Sequence, residues 1–142
     1  MDLATTVERS AATILLGIAG LHAAWALGAS WPAKDRDALA DLMAGRAGGS
    51  VPPPVACLAV TVLLTSASGL VAGRPRRLPR LRRAGTGGVA AVLAVRGAFG
   101  MLGRTDLVSP GSTSPRFRRL DRRYYSPLCL FLAAAAASSA RS

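Results

Sequence analysis

The chain has 142 residues, 51% of them hydrophobic, and a formal net charge of +11. A soluble chain this basic normally runs polar, yet the mean hydropathy is +0.34, so charge and hydrophobicity must occupy separate segments. The length allows one domain, residues 1–142, and aromatics at 5% are too few to fill a soluble core of this size. These numbers argue against an ordinary globular enzyme and toward a membrane protein.

Arginine supplies 17 of the 18 basic residues, and Lys34 is the only lysine. Beside the heavy use of alanine and glycine, this is the residue bias of a GC-rich bacterial genome. It warns against reading every arginine as phosphate recognition.

Four apolar segments follow one another, and they predict an all-α integral membrane protein with four transmembrane helices. The first, about residues 11–31, is long enough to span, since a spanning helix needs about 20 such residues. Its preceding segment carries Asp2, Glu8 and Arg9 in place of the basic start of a signal peptide. A retained helix is therefore expected over a cleaved one.

Pro52, Pro53 and Pro54 cannot sit inside a helix, so the second span is expected over about 55–72. A short amphipathic helix is expected ahead of them, with Lys34, Asp35, Arg36, Asp37 and Asp41 polar and Leu39, Leu42 and Met43 apolar. Gly45 to Ser50 then reads as a turn or loop.

The third span is expected over about 87–103 and contains Arg96; the Gly73–Thr86 loop before it holds six arginines. The fourth, about 125–140, follows a loop that begins irregularly and ends in the basic stretch Arg116–Arg123. It finishes in the alanine run 133–137. Pro127 is expected in its first turn, where the missing N–H does no harm.

Short arginine-dense loops mark the cytoplasmic side, which puts Gly73–Thr86 and both termini in the cytoplasm. Summed over all segments the two sides carry eight and nine basic residues, so orientation rests on the compactness of that one loop. The expected location is the bacterial inner membrane, multi-pass.

With four spans, the end of the first, the start of the second, the end of the third and the start of the fourth lie at one face. His22, Trp25, Arg96, Asp121 and Tyr125 then share one leaflet, whichever way the chain is inserted. A charge at bilayer depth costs about 2.5–3.5 kcal/mol on insertion scales, so Arg96 needs a partner or a wet cavity. Snorkelling is the competing reading. It is strained, because Gly103 is about 10 Å of helix rise away. Asp121 is the natural ionic partner, a tyrosine hydroxyl the second candidate.

His22 is the only histidine. Without further ligands it makes no metal site, and no haem-attachment motif accompanies it, so no metal or cofactor is expected. It reads either as a hydrogen-bonded structural residue or as a proton donor, acceptor or ligand contact. Trp31 and Tyr124 fit an interfacial belt, while Trp25 and Tyr125 lie deeper. Gly17, Gly20, Ala24 and Gly28 on the first helix are expected to pack closely against neighbours. Ser66 and Gly69 on the second, and Gly97, Gly100 and Gly103 on the third, carry the same expectation. Cys57 and Cys129 stand in apolar runs and read as small buried hydrophobes.

Phosphate-loop, serine-hydrolase, zincin and Cys-x-x-Cys motifs do not occur, and the basic loops lack the aromatics that read bases. No nucleic-acid partner is expected. The expected partners are the lipid bilayer and a small-molecule or lipid ligand, with a homo-oligomer as an option.

Two stretches carry a resemblance. Gly20 to Gly28, holding His22-x-x-Trp25-x-x-Gly28, and Leu120 to Cys129, holding Asp121-x-x-Tyr124-Tyr125-Ser126-Pro127, are similar to the small bacterial four-helix membrane proteins known as domain of unknown function 3995. The resemblance runs from about residue 10 to 136. It implies an integral membrane protein of four helices and no established activity.

The functional expectation is a polar pocket in one leaflet, built from His22, Trp25, Arg96, Asp121 and Tyr125, that binds a small molecule or lipid headgroup. Arg96 would supply charge and Asp121 orient it, while His22 and Tyr125 would hydrogen-bond the ligand. The alternatives are a membrane-embedded isomerase or cyclase with His22 as acid/base, a small transporter or channel subunit, and a purely structural role. Catalytic residues are not assigned, and the enzyme question stays open.

Overall fold

Helices form at each apolar window, and their observed boundaries show what stops them. The computed structural model describes residues 2–46 and 48–141. Met1, Ala47 and Ser142 lie outside the described residues, and with Ala47 the middle of the expected Gly45–Ser50 turn. The described residues are all helix and loop, without a strand. The helices are α1 (Leu3–Ala26), α2 (Arg36–Ala44), α3 (Pro54–Val71), α4 (Pro79–Met101), α5 (Pro115–Leu120) and α6 (Ser126–Arg141). A 3-10 turn at Thr105–Leu107 precedes α5, and a π-helical turn at Asp121–Tyr125 joins α5 to α6.

Three expected boundaries move. The first helix starts at Leu3 rather than near 11, and the third at Pro79 rather than near 87. Polar residues limit what can lie in hydrocarbon, not what can be helical. Arg80, Arg82 and Arg83 are good helix formers, and Pro79 suits the first turn. Much of the expected Gly73–Thr86 loop is therefore helix. The first helix also ends early, at Ala26 instead of 31, where Gly28 turns the chain with φ 100°.

The alanine run that ends the chain is helical, as alanine favours, and its small side chains build the core. Ala133, Ala135 and Ala136 are buried, as are Ala11, Ala12 and Leu15 of α1 and Ala67 and Val71 of α3. α1 packs chiefly on α3, and α4 on α6. Hydroxyls tie the helices across the bundle: Ser68 Oγ donates to the Ala12 carbonyl at 2.7 Å, and Ser139 Oγ to that of Val71 at 3.1 Å.

The expected packing glycines divide. Gly97 and Gly100 are buried, and a Cβ on Gly97 would stand 3.0 Å from the Ser126 carbonyl oxygen. Gly17, Gly20 and Gly69 would meet nothing within 4 Å, so within the chain they allow no close approach. On α3 the packing serine is Ser68, while Ser66 is exposed.

By length and composition α3 and α4 can each cross a membrane, with windows of mean hydropathy 1.9 and 1.3. α1 and α6 do not meet that standard: α1 carries Glu8, Arg9 and His22, and α6 has 16 residues.

The short helices pack over one end of the bundle. α2 is capped by Asp35, whose side chain accepts from the Ala38 N–H at 2.8 Å, a standard cap. It ends at Gly45 (φ 67°), whose carbonyl accepts from the N–H groups of Thr113 and Ser114 at 3.1 and 3.0 Å. A Cβ on Gly45 would lie 2.7 Å from Phe117 Cδ1. Gly45→Ala is thus expected to cost about 2–4 kcal/mol, left-handed strain plus overpacking, measured as a fall in thermal unfolding midpoint in detergent.

Candidate functional site

Asp121 stands where α5 gives way to the π-helical turn, and its side chain is fully buried. A lone buried carboxylate would be prohibitively costly; this one is surrounded by donors. Arg96 of α4 grips it with both terminal nitrogens, Nη2 to Oδ1 at 2.7 Å and Nη1 to Oδ2 at 3.3 Å. Ser126 Oγ donates to Oδ1 at 3.2 Å, and the Thr105 hydroxyl makes a short hydrogen bond to Oδ2. Four donors saturate the carboxylate, and the two-pronged arginine contact is the strong form of such a pair. The ionic partner expected for Arg96 is the one found.

The π-helical turn makes this cluster possible. In an α-helix, residues five apart stand roughly 140° apart around the axis. Here the Ser126 N–H bonds the Asp121 carbonyl, the i→i+5 pattern that brings the two nearer to one face. Pro127 follows directly. It lies inside a continuous helical run from Pro115 rather than in the first turn of a fresh helix. Its ring would crowd the carbonyl four residues earlier, and the wider turn at that position relieves the conflict.

Gly100 provides the room on α4. A Cβ there would overlap Ser126 Oγ and stand 2.8 Å from both Arg96 Nη1 and Asp121 Oδ2. Reading the sequence missed Thr105 entirely, because a threonine in an irregular loop carries no signal of its partner. Ser126 was visible at the head of the fourth span, but its bond depends on the π-helical turn.

The remaining expected residues are placed differently. His22 donates from Nδ1 to the Ile18 carbonyl at 2.9 Å, and its ring centroid lies 4.7 Å from that of Trp25. Trp25 is buried, with Nε1 donating to the Trp31 carbonyl at 2.8 Å. Together with Met43 and Cys57 they line a cavity of about 80 Å³. That is well below the roughly 300–1,000 Å³ of ligand pockets.

Tyr125 donates to the Leu42 carbonyl at 3.3 Å and packs on Phe117. It therefore ties α5–α6 to α2 and joins neither cluster directly. Trp31 and Tyr124 are exposed, as belt residues would be. The five expected residues thus gather at one end of the bundle but divide into the Arg96–Asp121 pair, the His22–Trp25 pair, and Tyr125 between them.

Arg96 keeps 27% of its side chain exposed and lines a groove of about 430 Å³ with Ala91, Val92, Val95 and Val108. Only two of its five N–H groups are needed for the two contacts with Asp121. Apart from Arg96 the residues that line the groove are aliphatic.

Fold and site together define a helical-bundle protein whose connecting segments close over one end around a buried, arginine-paired aspartate. The chain belongs to the family described as "Protein of unknown function (DUF3995)", which it matches over residues 15–136. His22, Arg96 and Asp121 all fall within the matched span. No curated protein and no solved structure matches it.

Proposed function

We propose that the protein is a four-span bacterial inner-membrane protein that binds an amphiphilic small molecule or lipid in the groove beside Arg96. Both termini would be cytoplasmic. Apolar exposure supports the membrane reading. Only 22% of the α3 window and 17% of the α4 window is buried, and Val55, Val62, Leu63 and Val92 are exposed. Soluble monomers rarely present apolar faces of this extent. α1, α3 and α4 have 24, 18 and 23 residues, or about 27–36 Å of rise against a hydrocarbon core of about 30 Å. α6 has 16 residues, or about 24 Å of rise.

The single observation that carries the binding reading is Arg96 itself: oriented by a buried carboxylate, yet still exposed to an apolar groove. Asp121 positions the guanidinium, and Arg96 offers its remaining N–H groups to the ligand head. His22 and Tyr125 are bonded elsewhere and take no part. The isomerase or cyclase reading gains no support from the small cavity beside His22.

Native mass spectrometry of gently purified wild type beside Val95→Trp tests this. The tryptophan occupies the groove and leaves both members of the ion pair in the chain. Wild type is expected to carry a defined small molecule or a single lipid species that the folded variant lacks. Identical spectra from the two proteins would sink the reading.

A further inference from the structure

The opposite end of the bundle holds a second feature. There the start of α1, the end of α3 and the start of α4 surround a cavity of about 850 Å³. Arg9, Arg74, Arg76 and Arg82 line it, and Glu8 is the one acid among its lining residues. Arg82 is held in place by α6, with Nη1 donating to the Ser139 carbonyl at 2.9 Å and more weakly to its hydroxyl at 3.4 Å. Guanidinium groups gathered around one cavity raise the local positive potential and favour an anion between them. Their planar forks match a phosphate in particular.

The cavity is not charged throughout. It runs from Thr5 to Leu16 along α1, about 16 Å of helix rise. Away from the arginines its lining is mixed, with Leu16 beside Thr65, Ser68 and Gly69.

We propose that this cavity binds a phosphate-bearing ligand, supplied by the headgroup of an anionic phospholipid. The choice of lipid over a soluble phosphate rests on the membrane reading above; the phosphate chemistry does not. The site is separate from the Arg96 groove, so either can fail alone.

The full chain in mild detergent would be titrated with phosphatidylglycerol, phosphatidylcholine and inorganic phosphate, followed by native mass spectrometry and thermal shift. Phosphatidylglycerol is expected to bind wild type, with phosphatidylcholine far weaker. At about 1 kcal/mol for each basic residue near a headgroup, Arg74→Gln/Arg76→Gln should weaken that binding about thirtyfold. Arg116→Gln/Arg118→Gln, which removes exposed arginines at the other end, should leave it unchanged.

Equal binding by all three proteins, or equal loss in both double variants, overturns the site. Stabilisation of wild type by inorganic phosphate with no response to phosphatidylglycerol keeps the oxyanion chemistry but overturns the lipid source. Should the Arg74/Arg76 variant lose its helical circular dichroism, Leu16→Trp decides. Loss of phosphatidylglycerol from this folded variant supports the cavity, and retention overturns it.

Discussion

Asp121→Ala is expected to lower stability by about 3–5 kcal/mol, because it leaves Arg96 partly buried without its counter-charge. Its position compounds the loss: Thr105 and Ser126 surrender their acceptor as well, and each bond to a charged group is worth about 1.5–3 kcal/mol. The double variant Arg96→Met/Asp121→Leu is expected to recover the part of the deficit that comes from the unpaired charge, and not the part that comes from Thr105 and Ser126. Apolar residues of similar volume often replace a buried pair at no net cost. Thermal unfolding in detergent of Arg96→Met, Asp121→Leu and the double variant measures this as a coupling energy. A double variant as unstable as the sum of its parents, a coupling of zero, would show that the two side chains do not stabilise one another.

Gly100→Ala is the second large effect. The added methyl overlaps Ser126 Oγ and presses on Arg96 and Asp121. Ser126 can rotate away only by giving up its bond to Asp121. Overpacking of this kind costs about 1–3 kcal/mol, and the lost bond adds to it. Gly17→Ala and Gly20→Ala are the controls: a Cβ meets nothing there, and alanine is favoured over glycine in a helix by about 1 kcal/mol. They are expected to be neutral or stabilising. Combining Gly100→Ala with Ser126→Ala should remove the overlap with Ser126 and leave the pressure on Arg96 and Asp121 beside the missing hydrogen bond, so the two substitutions together should cost less than their sum.

Hydropathy and helix-breaking residues made the architecture legible. The second span, expected at 55–72 and found as Pro54–Val71, is bounded by a triple proline and a glycine. The last helix, expected at 125–140, is found as Ser126–Arg141, a helix that α3 and α4 exceed in length and that does not meet the standard of a span. Boundaries failed where charge was taken to end a helix, as at Arg80–Arg83. The Arg96–Asp121 pair was legible for a different reason. Chain topology alone brings the end of one helix and the start of the next to the same face, and a charge inside an apolar helix demands an opposite charge.

What local sequence determines here is therefore the set of helices, their order, and the need for Arg96 to be paired. Periodicity and the cost of burying charge act through neighbours along the chain or through a single strong requirement. Which hydroxyls complete the site, and whether His22 joins it, was decided only in three dimensions. Thr105 reaches Asp121 across 16 residues, and Ser126 does so because a π-helical turn rotates it into place. His22 is drawn instead to the carbonyl of Ile18. Those choices rest on a few tenths of a turn of helix and on the space left by one glycine, Gly100, and no pattern of residue types along the chain encodes them.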